Sequence, residues 1–194
     1  RVLDLGAGNG IVAEELRRVG VGHIVGLDLL PEAALAARRD RPDVYDDYVV
    51  ADLTALTPEQ ELSVRTERLD CLVTAAALGF GDIPPRAFAA AFNLIEPEGW
   101  LAMTIKEDFL DPRGDDSGFS QFLRSLIDDG IIEIQAHQRF CHRIAHDGEK
   151  LFYLAVIARK TADIPDSDRR TLKGNGVMSH RRGDSASILL GRTT

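Results

Sequence analysis

The stretch Arg1-Val2-Leu3-Asp4-Leu5-Gly6-Ala7-Gly8-Asn9-Gly10 decides the fold. Val2, Leu3 and Leu5 read as a short buried strand, and the glycines at 6, 8 and 10 as a tight turn. Ile11, Val12, Leu16 and Val19 follow at helical spacing. Strand, glycine turn and helix open a nucleotide-binding βαβ unit. Glycine suits the turn because the backbone takes unusual angles there, and because a Cβ would block the close approach of a ligand.

The spacing narrows the ligand. A dinucleotide fingerprint, G-x-G-x-x-G, aims a helix N-terminus at a pyrophosphate. Here the third glycine comes one residue early, as G-x-G-x-G, and Asp4 sits inside the strand two positions before the first glycine. A buried carboxylate there repels a pyrophosphate and suits a cation or ammonium group. The run from Leu3 to Gly10 resembles motif I of the class I S-adenosylmethionine (SAM) dependent methyltransferases. That resemblance implies SAM as cofactor, a molecule with an ammonium and a sulfonium and no phosphate. It assigns Asp4, Gly6, Ala7, Gly8, Asn9 and Gly10 to cofactor binding.

Outward from the turn, residues 23–29 form an expected second strand ending in Asp28, with Leu29 beside it. In an α/β sheet Asp28 falls at the carboxyl end of a strand, where ligands sit, and its carboxylate can accept both hydroxyls of a ribose. It can equally cap the helix expected over residues 31–39. Residues 46–50 are a third strand, followed by Asp52 and Leu53. Asp52 resembles the methyltransferase position that accepts the adenine amino group; a turn-capping Asp is the competing reading. Residues 54–68 are polar and leave a loop or short helix open.

Residues 69–78 are a near-continuous apolar strand, as parallel central strands are. Its small residues from Thr74 onward, Thr74 and Ala75 among them, are expected to leave room for the cofactor. A helix over 86–95, a strand over 100–105, a helix over 117–129 and strands over 131–139 and 150–158 complete the order. The last two are joined by Ala145-His146-Asp147-Gly148, an Asp-Gly hairpin signal, and must be antiparallel. The expected fold is α/β, a Rossmann-like seven-stranded sheet with helices on both faces. In the methyltransferase fold that this order resembles, a reversed seventh strand slips between strands five and six. The loop Ala77 to Pro84 and the Phe92 helix are similar to the small-molecule branch that includes the Williams–Beuren-region methyltransferases. Residues 97–99 read Pro-Glu-Gly where many of that family have Pro-Gly-Gly, a change in a turn.

The chain has 194 residues, 44% hydrophobic and 28% charged, ordinary values for one globular domain. No stretch approaches a membrane span. The first residue is not Met and stands at the first strand, so the sequence reads as part of a longer protein whose preceding segment would cover the cofactor. The methyltransferase domain is expected over 1–160. Residues 161–194, rich in Asp, Ser, Arg and Gly, are expected to be a disordered extension. Net charge is −8; from Arg159 onward eight Lys/Arg against four Asp/Glu give +4, leaving −12 on the 158 residues before it. An acidic body argues against a broad phosphate-binding surface. Cys71 and Cys141 read as buried thiols, which suggests a reducing, cytoplasmic setting. The spacing of His137, His142 and His146 does not suit one strand face, and no metal site is expected.

Methyl transfer from a sulfonium is a direct displacement in which the enzyme supplies alignment, with a general base optional. No triad or metal cluster is needed. Lys106, Glu107 and Asp108 follow strand five at the edge where the methyl acceptor should lie. Asp108 is the candidate base, and Leu78, Phe80 and Lys106 the candidate acceptor-binding residues. The Asn/Asp-Pro-Pro-Tyr/Phe segment of nucleic-acid amino methyltransferases would follow strand four, where this chain reads Thr74-Ala75-Ala76-Ala77-Leu78-Gly79. A small-molecule acceptor is therefore expected. An RNA or protein methyltransferase, a SAM-binding protein without turnover and an NAD(P)-dependent oxidoreductase stay open as alternatives. The oligomeric state is not legible.

Overall fold

The computed structural model describes residues 1–78, 83–110, 115 and 117–165. Phe80, the side chain of Asp108 and all residues from 166 onward lie outside what is described. The elements are β1 (Val2–Leu5), α1 (Ile11–Arg18), β2 (Ile24–Asp28), α2 (Pro31–Asp40), β3 (Asp47–Val50), α3 (Pro58–Thr66), β4 (Cys71–Leu78), α4 (Pro85–Leu94), β5 (Trp100–Lys106), a 3-10 turn (Glu107–Leu110), α5 (Phe119–Asp128), β6 (Ile132–Ile144) and β7 (Lys150–Lys160). The strands form one sheet in the order β3-β2-β1-β4-β5-β7-β6. β1 to β5 run parallel, and β7 is antiparallel to both β5 and β6. This is the expected sheet with its reversed seventh strand. The hairpin explains the reversal: Gly148 takes a left-handed φ of 87°, and Ala145 N–H donates to Glu149 O at 2.8 Å.

The apolar faces of the strands determine the layers. Leu3, Leu5, Leu27, Leu72, Leu101 and Ile105 bury one sheet face against α3, α4 and α5. Phe88 and Phe92 of α4 meet Phe119 and Phe122 of α5 there, with Phe88 at ring centroid distances of 5.6–6.1 Å from the other three. Val2, Ile24 and Val73 face the other way and pack on Ala13 of α1. The glycine turn thus emerges at the carboxyl edge, between β1 and the start of α1.

Of the loop and short helix left open over residues 54–68, the structure has the helix: residues 58–66 are helical because Thr57 and Gln60 form a capping box, with Pro58 in the first turn. Two segments differ from the expectation. β6 runs to Ile144 instead of ending at residue 139. Its outer half is polar and exposed, with bulges between Ile134/Ala136 and Cys141/Arg143, so apolar alternation does not mark it. Residues 161–165 also pack, although the extension was expected to begin at Thr161. Ile164 is buried in the main core, and its N–H and C=O both bond the Asn93 side chain, at 2.9 Å each. Among the described residues no helix is long and apolar enough to cross a membrane.

Candidate functional site

The three glycines of the turn all have positive φ, of 71°, 53° and 84° at Gly6, Gly8 and Gly10, but they do different work. A Cβ on Gly6 would lie 2.9 Å from Ala77 Cβ and 3.1 Å from Ile83 Cδ1. A Cβ on Gly10 would lie 3.0 Å from Val44 Cγ1 and 3.2 Å from the Tyr45 ring. Both are packing glycines that let β4 and the α2–β3 segment close on the turn. Gly8 differs: the nearest atom to a Cβ there would be Gly6 O at 3.9 Å. Gly8 therefore borders open space, a cradle that a larger side chain would fill.

Two carboxylates lie beside the turn, Asp28 bonded to Gly8 itself and Asp4 reached through Tyr45. Asp28 ends β2, half-buried, and its Oδ2 accepts Gly8 N–H at 3.0 Å while Oδ1 accepts Leu30 N–H at 3.0 Å. The strand-end Asp thus ties the glycine turn to the start of α2. Asp4 lies inside β1, in register with Gly26 of β2, and is 1% exposed. Burial pushes its carboxyl up to about 6, opposed by the hydrogen bond from Tyr45 and reinforced by the nearby Asp28 charge. A carboxylate so poorly hydrated gains much from a cation brought beside it.

Sequence reading missed the groups that hold this arrangement. Tyr45 hydroxyl donates to both Asp4 Oδ2 at 2.8 Å and Ala7 O at 3.1 Å. Tyr48 hydroxyl donates to Gly8 O at 2.9 Å, and Arg41 Nη1 donates to Asn9 O at 3.2 Å. Gly26 makes room for both rings: a Cβ there would lie 2.8 Å from Tyr48 and 3.0 Å from Tyr45. A glycine inside an apolar strand was the available signal of a close approach. Burial holds both tyrosine hydroxyls well above their usual pKa, aided by the Asp4 and Asp28 charges.

The other expected residues are spread more widely. Asn9 donates its side-chain amide to Asp40 Oδ2 at 3.2 Å. Asp52 is exposed, and its Oδ1 accepts the N–H and hydroxyl of Thr54, which lowers its pKa. The turn-capping role is thus present. Leu29 is exposed at the carboxyl edge, whereas Leu53 is buried in the main core. Thr74 is fully buried, its hydroxyl without a partner among the described residues. After Thr74 the strand breaks register with β5; Ala76 takes a left-handed φ of 56°, and its N–H donates to Thr104 Oγ1 at 2.8 Å. The small residues of β4 thus serve close packing on Gly6 through Ala77 at least as much as room for a ligand. Leu78 is 3% exposed and part of the core, so its side chain is a packing residue and not an acceptor contact. Lys106 ends β5 opposite Tyr153, and Glu107 is held by Arg139 in a forked pair at 2.8–3.0 Å.

The buried Asp4 makes a pH prediction. Its folded pKa, about 6, lies above its ordinary 3.8. Its favourable share of stability is therefore complete below about pH 4 and lost as pH rises through 6. Asp4→Asn does not titrate, so its stability relative to wild type should climb by about 3 kcal/mol between pH 4 and 7, then stay level. Urea unfolding of both proteins across that range measures it. Parallel curves would show that burial does not raise the Asp4 carboxyl.

Comparison with known proteins gives concordant findings. A family model described as "Methyltransferase domain" matches residues 3–103. The chain is 31% identical over 113 residues to the mitochondrial ubiquinone biosynthesis O-methyltransferase of Candida albicans, over 56% of this chain and 33% of that protein. It is 30% identical over 131 residues to the ribosomal protein L11 methyltransferase of Sodalis glossinidius (strain morsitans), over 53% of this chain and 44% of that protein. The chain thus spans less than half the length of these curated relatives. Among solved structures, SAM-dependent methyltransferases of Methanosarcina mazei and Mesorhizobium loti share the fold. Their TM-scores are 0.57 and 0.58 at 19% and 21% identity, over 82% of this chain and 92% and 90% of theirs.

Proposed function

Because this chain belongs to the methyltransferase domain family, within the class I SAM-dependent superfamily, we propose that it binds SAM and moves a methyl group to an O, N or C nucleophile of a small molecule. The observation that carries this reading is the open cradle at Gly8 beside two carboxylates of different kinds. Asp28 would accept hydroxyl donors of a ribose, and desolvated Asp4 would favour an ammonium. The early third glycine and the desolvated Asp4 disfavour the dinucleotide reading, whereas Asp28 at a strand end would suit the ribose of either cofactor. The bound cofactor supplies a methyl carbon made electrophilic by its sulfonium. The chain's own task is to hold a nucleophile in line with that carbon and to exclude water, for which a packed sheet edge suffices.

The acceptor would enter over the carboxyl edges of β4 and β5, beside Lys106 and the Phe80 loop, with Asp108 as acceptor of a proton. Glu107 is taken up by Arg139 and is the weaker candidate for that role. The acidic body and the ubiquinone O-methyltransferase relatives support a small molecule. The L11 methyltransferase relative keeps a protein acceptor as the second reading.

Titration calorimetry with SAM, S-adenosylhomocysteine (SAH) and NADH tests the cofactor. SAM and SAH should bind and NADH should not. Asp28→Ala should weaken SAH by about 1.5–3 kcal/mol, the scale of a hydrogen bond to a charged group. Unchanged affinity would remove Asp28 from the site. A screen with labelled SAM against phenols, amines, ribosomal protein and structured RNA then tests the acceptor. Label on protein or RNA alone would overturn the small-molecule reading.

A further inference from the structure

We propose that Tyr45, Tyr48 and Arg41 are positioning residues for the cofactor, gripping three consecutive carbonyls of the glycine turn from the α2–β3 side. The inference rests on the SAM reading above. Ala7 O is held by Tyr45, Gly8 O by Tyr48 and Asn9 O by Arg41, at 3.1, 2.9 and 3.2 Å. In a planar trans peptide the N–H lies opposite the C=O, so holding a carbonyl fixes the direction of the next residue's N–H. The Ala7 grip sends Gly8 N–H to Asp28 Oδ2 at 3.0 Å. The Asn9 grip sends Gly10 N–H back to Ala7 O at 3.0 Å. The Gly8 grip turns Asn9 N–H away from Tyr48, to the opposite side of the turn.

A turn with positive φ at positions 6, 8 and 10 has little of its own to hold it in one shape, since glycine is the most permissive residue. Left alone, it would have to be ordered when the cofactor binds, at a cost in affinity. The two tyrosines remove much of that cost because they are rigid side chains with few rotamers, packed edge to face at 5.1 Å. Arg41 is steadied by Glu14 of α1 at 2.7 Å. Gly26 is what permits the device, since any Cβ there would displace both rings.

Tyr45 has a second duty that Tyr48 lacks. Its hydroxyl is shared with Asp4 Oδ2, and that bond opposes the upward push of burial on the Asp4 carboxyl. The titratable groups facing Asp4 are Tyr45 and Tyr48 from the α2–β3 side and Asp28 from β2. The two tyrosines should therefore be separable by pH.

Tyr45→Phe and Tyr48→Phe keep both rings and remove only the hydroxyls. Calorimetry with SAH at pH 8 should show each variant binding about fivefold to tenfold more weakly than wild type, the worth of one hydrogen bond. As pH falls, SAH affinity should drop at a higher pH in Tyr45→Phe than in wild type, and at the wild-type pH in Tyr48→Phe. In the protein without SAH, the Gly8 and Asn9 amides should exchange hydrogen about tenfold faster in both variants. Wild-type affinity in both variants, or an unmoved pH dependence in Tyr45→Phe, overturns the proposal. A wild-type protein that binds no SAH overturns the SAM reading instead, and unchanged amide exchange then overturns the grip by itself.

Discussion

Gly8→Val is expected to abolish SAH binding, with the dissociation constant rising more than about a hundredfold, while the protein still folds. The reason is the asymmetry among the three glycines. A Cβ at Gly8 meets no protein atom nearer than 3.9 Å, so a side chain starts into the open space of the cradle. The φ of 53° there makes valine strained, at about 1–2 kcal/mol, a cost that a domain of this size can absorb. Gly6→Ala and Gly10→Ala behave in the opposite way. They press on Ala77 and Ile83, or on Val44 and Tyr45, and should lower the melting temperature before they affect affinity. Thermal melting of the three variants with and without SAH separates the cases. If Gly8→Val still melts higher with SAH present, the turn is not the cofactor cradle.

Lys160→Ala is expected to cost about 3 kcal/mol or more of folding stability, far from any cofactor contact. Lys160 is 2% exposed, and its ammonium donates to Phe92 O at 3.0 Å, in the last turn of α4, and to Ile95 O at 2.7 Å, the residue that caps it. It also pairs with Asp163 at 2.6 Å and stands 5.0 Å from the Phe92 ring centre. A cation at a helix C-terminus is favourable by itself, and here it also satisfies buried acceptors. Alanine leaves those carbonyls unpaired and opens a cavity; Lys160→Met keeps the stem and should lose less. Equilibrium unfolding in urea measures both, and SAH affinity should stay at the wild-type value. Removing the chain from Ala162 onward should also destabilise, because Ile164 and the two Asn93 bonds go with it. A truncated protein as stable as the parent would show that this packing contributes nothing.

The sequence by itself determined the sheet and the glycine turn at its carboxyl edge. A glycine turn after a strand with an internal Asp, an Asp at the next strand end, and two final strands joined through Asp147-Gly148 are local patterns. Local patterns are fixed by backbone sterics and by the period of apolar residues. That is why the reversed β7 was legible, and why the carboxylates of Asp4 and Asp28 stand at the carboxyl ends of neighbouring strands beside the glycine turn. The tertiary structure decided which of those residues face the site and what holds them there. Thr74 and Leu78 sit on a strand that reads as a ligand edge, yet both are buried, Leu78 within the main core. The tyrosine grip joins residues 38 to 41 positions apart, and the Lys160 staple joins residues 65 and 68 apart. Contacts over such separations depend on which elements the fold brings side by side, and no period within a short window encodes them. Gly26 left the one local trace, a missing Cβ in an apolar strand, and its meaning appears only when the two tyrosine rings occupy the space.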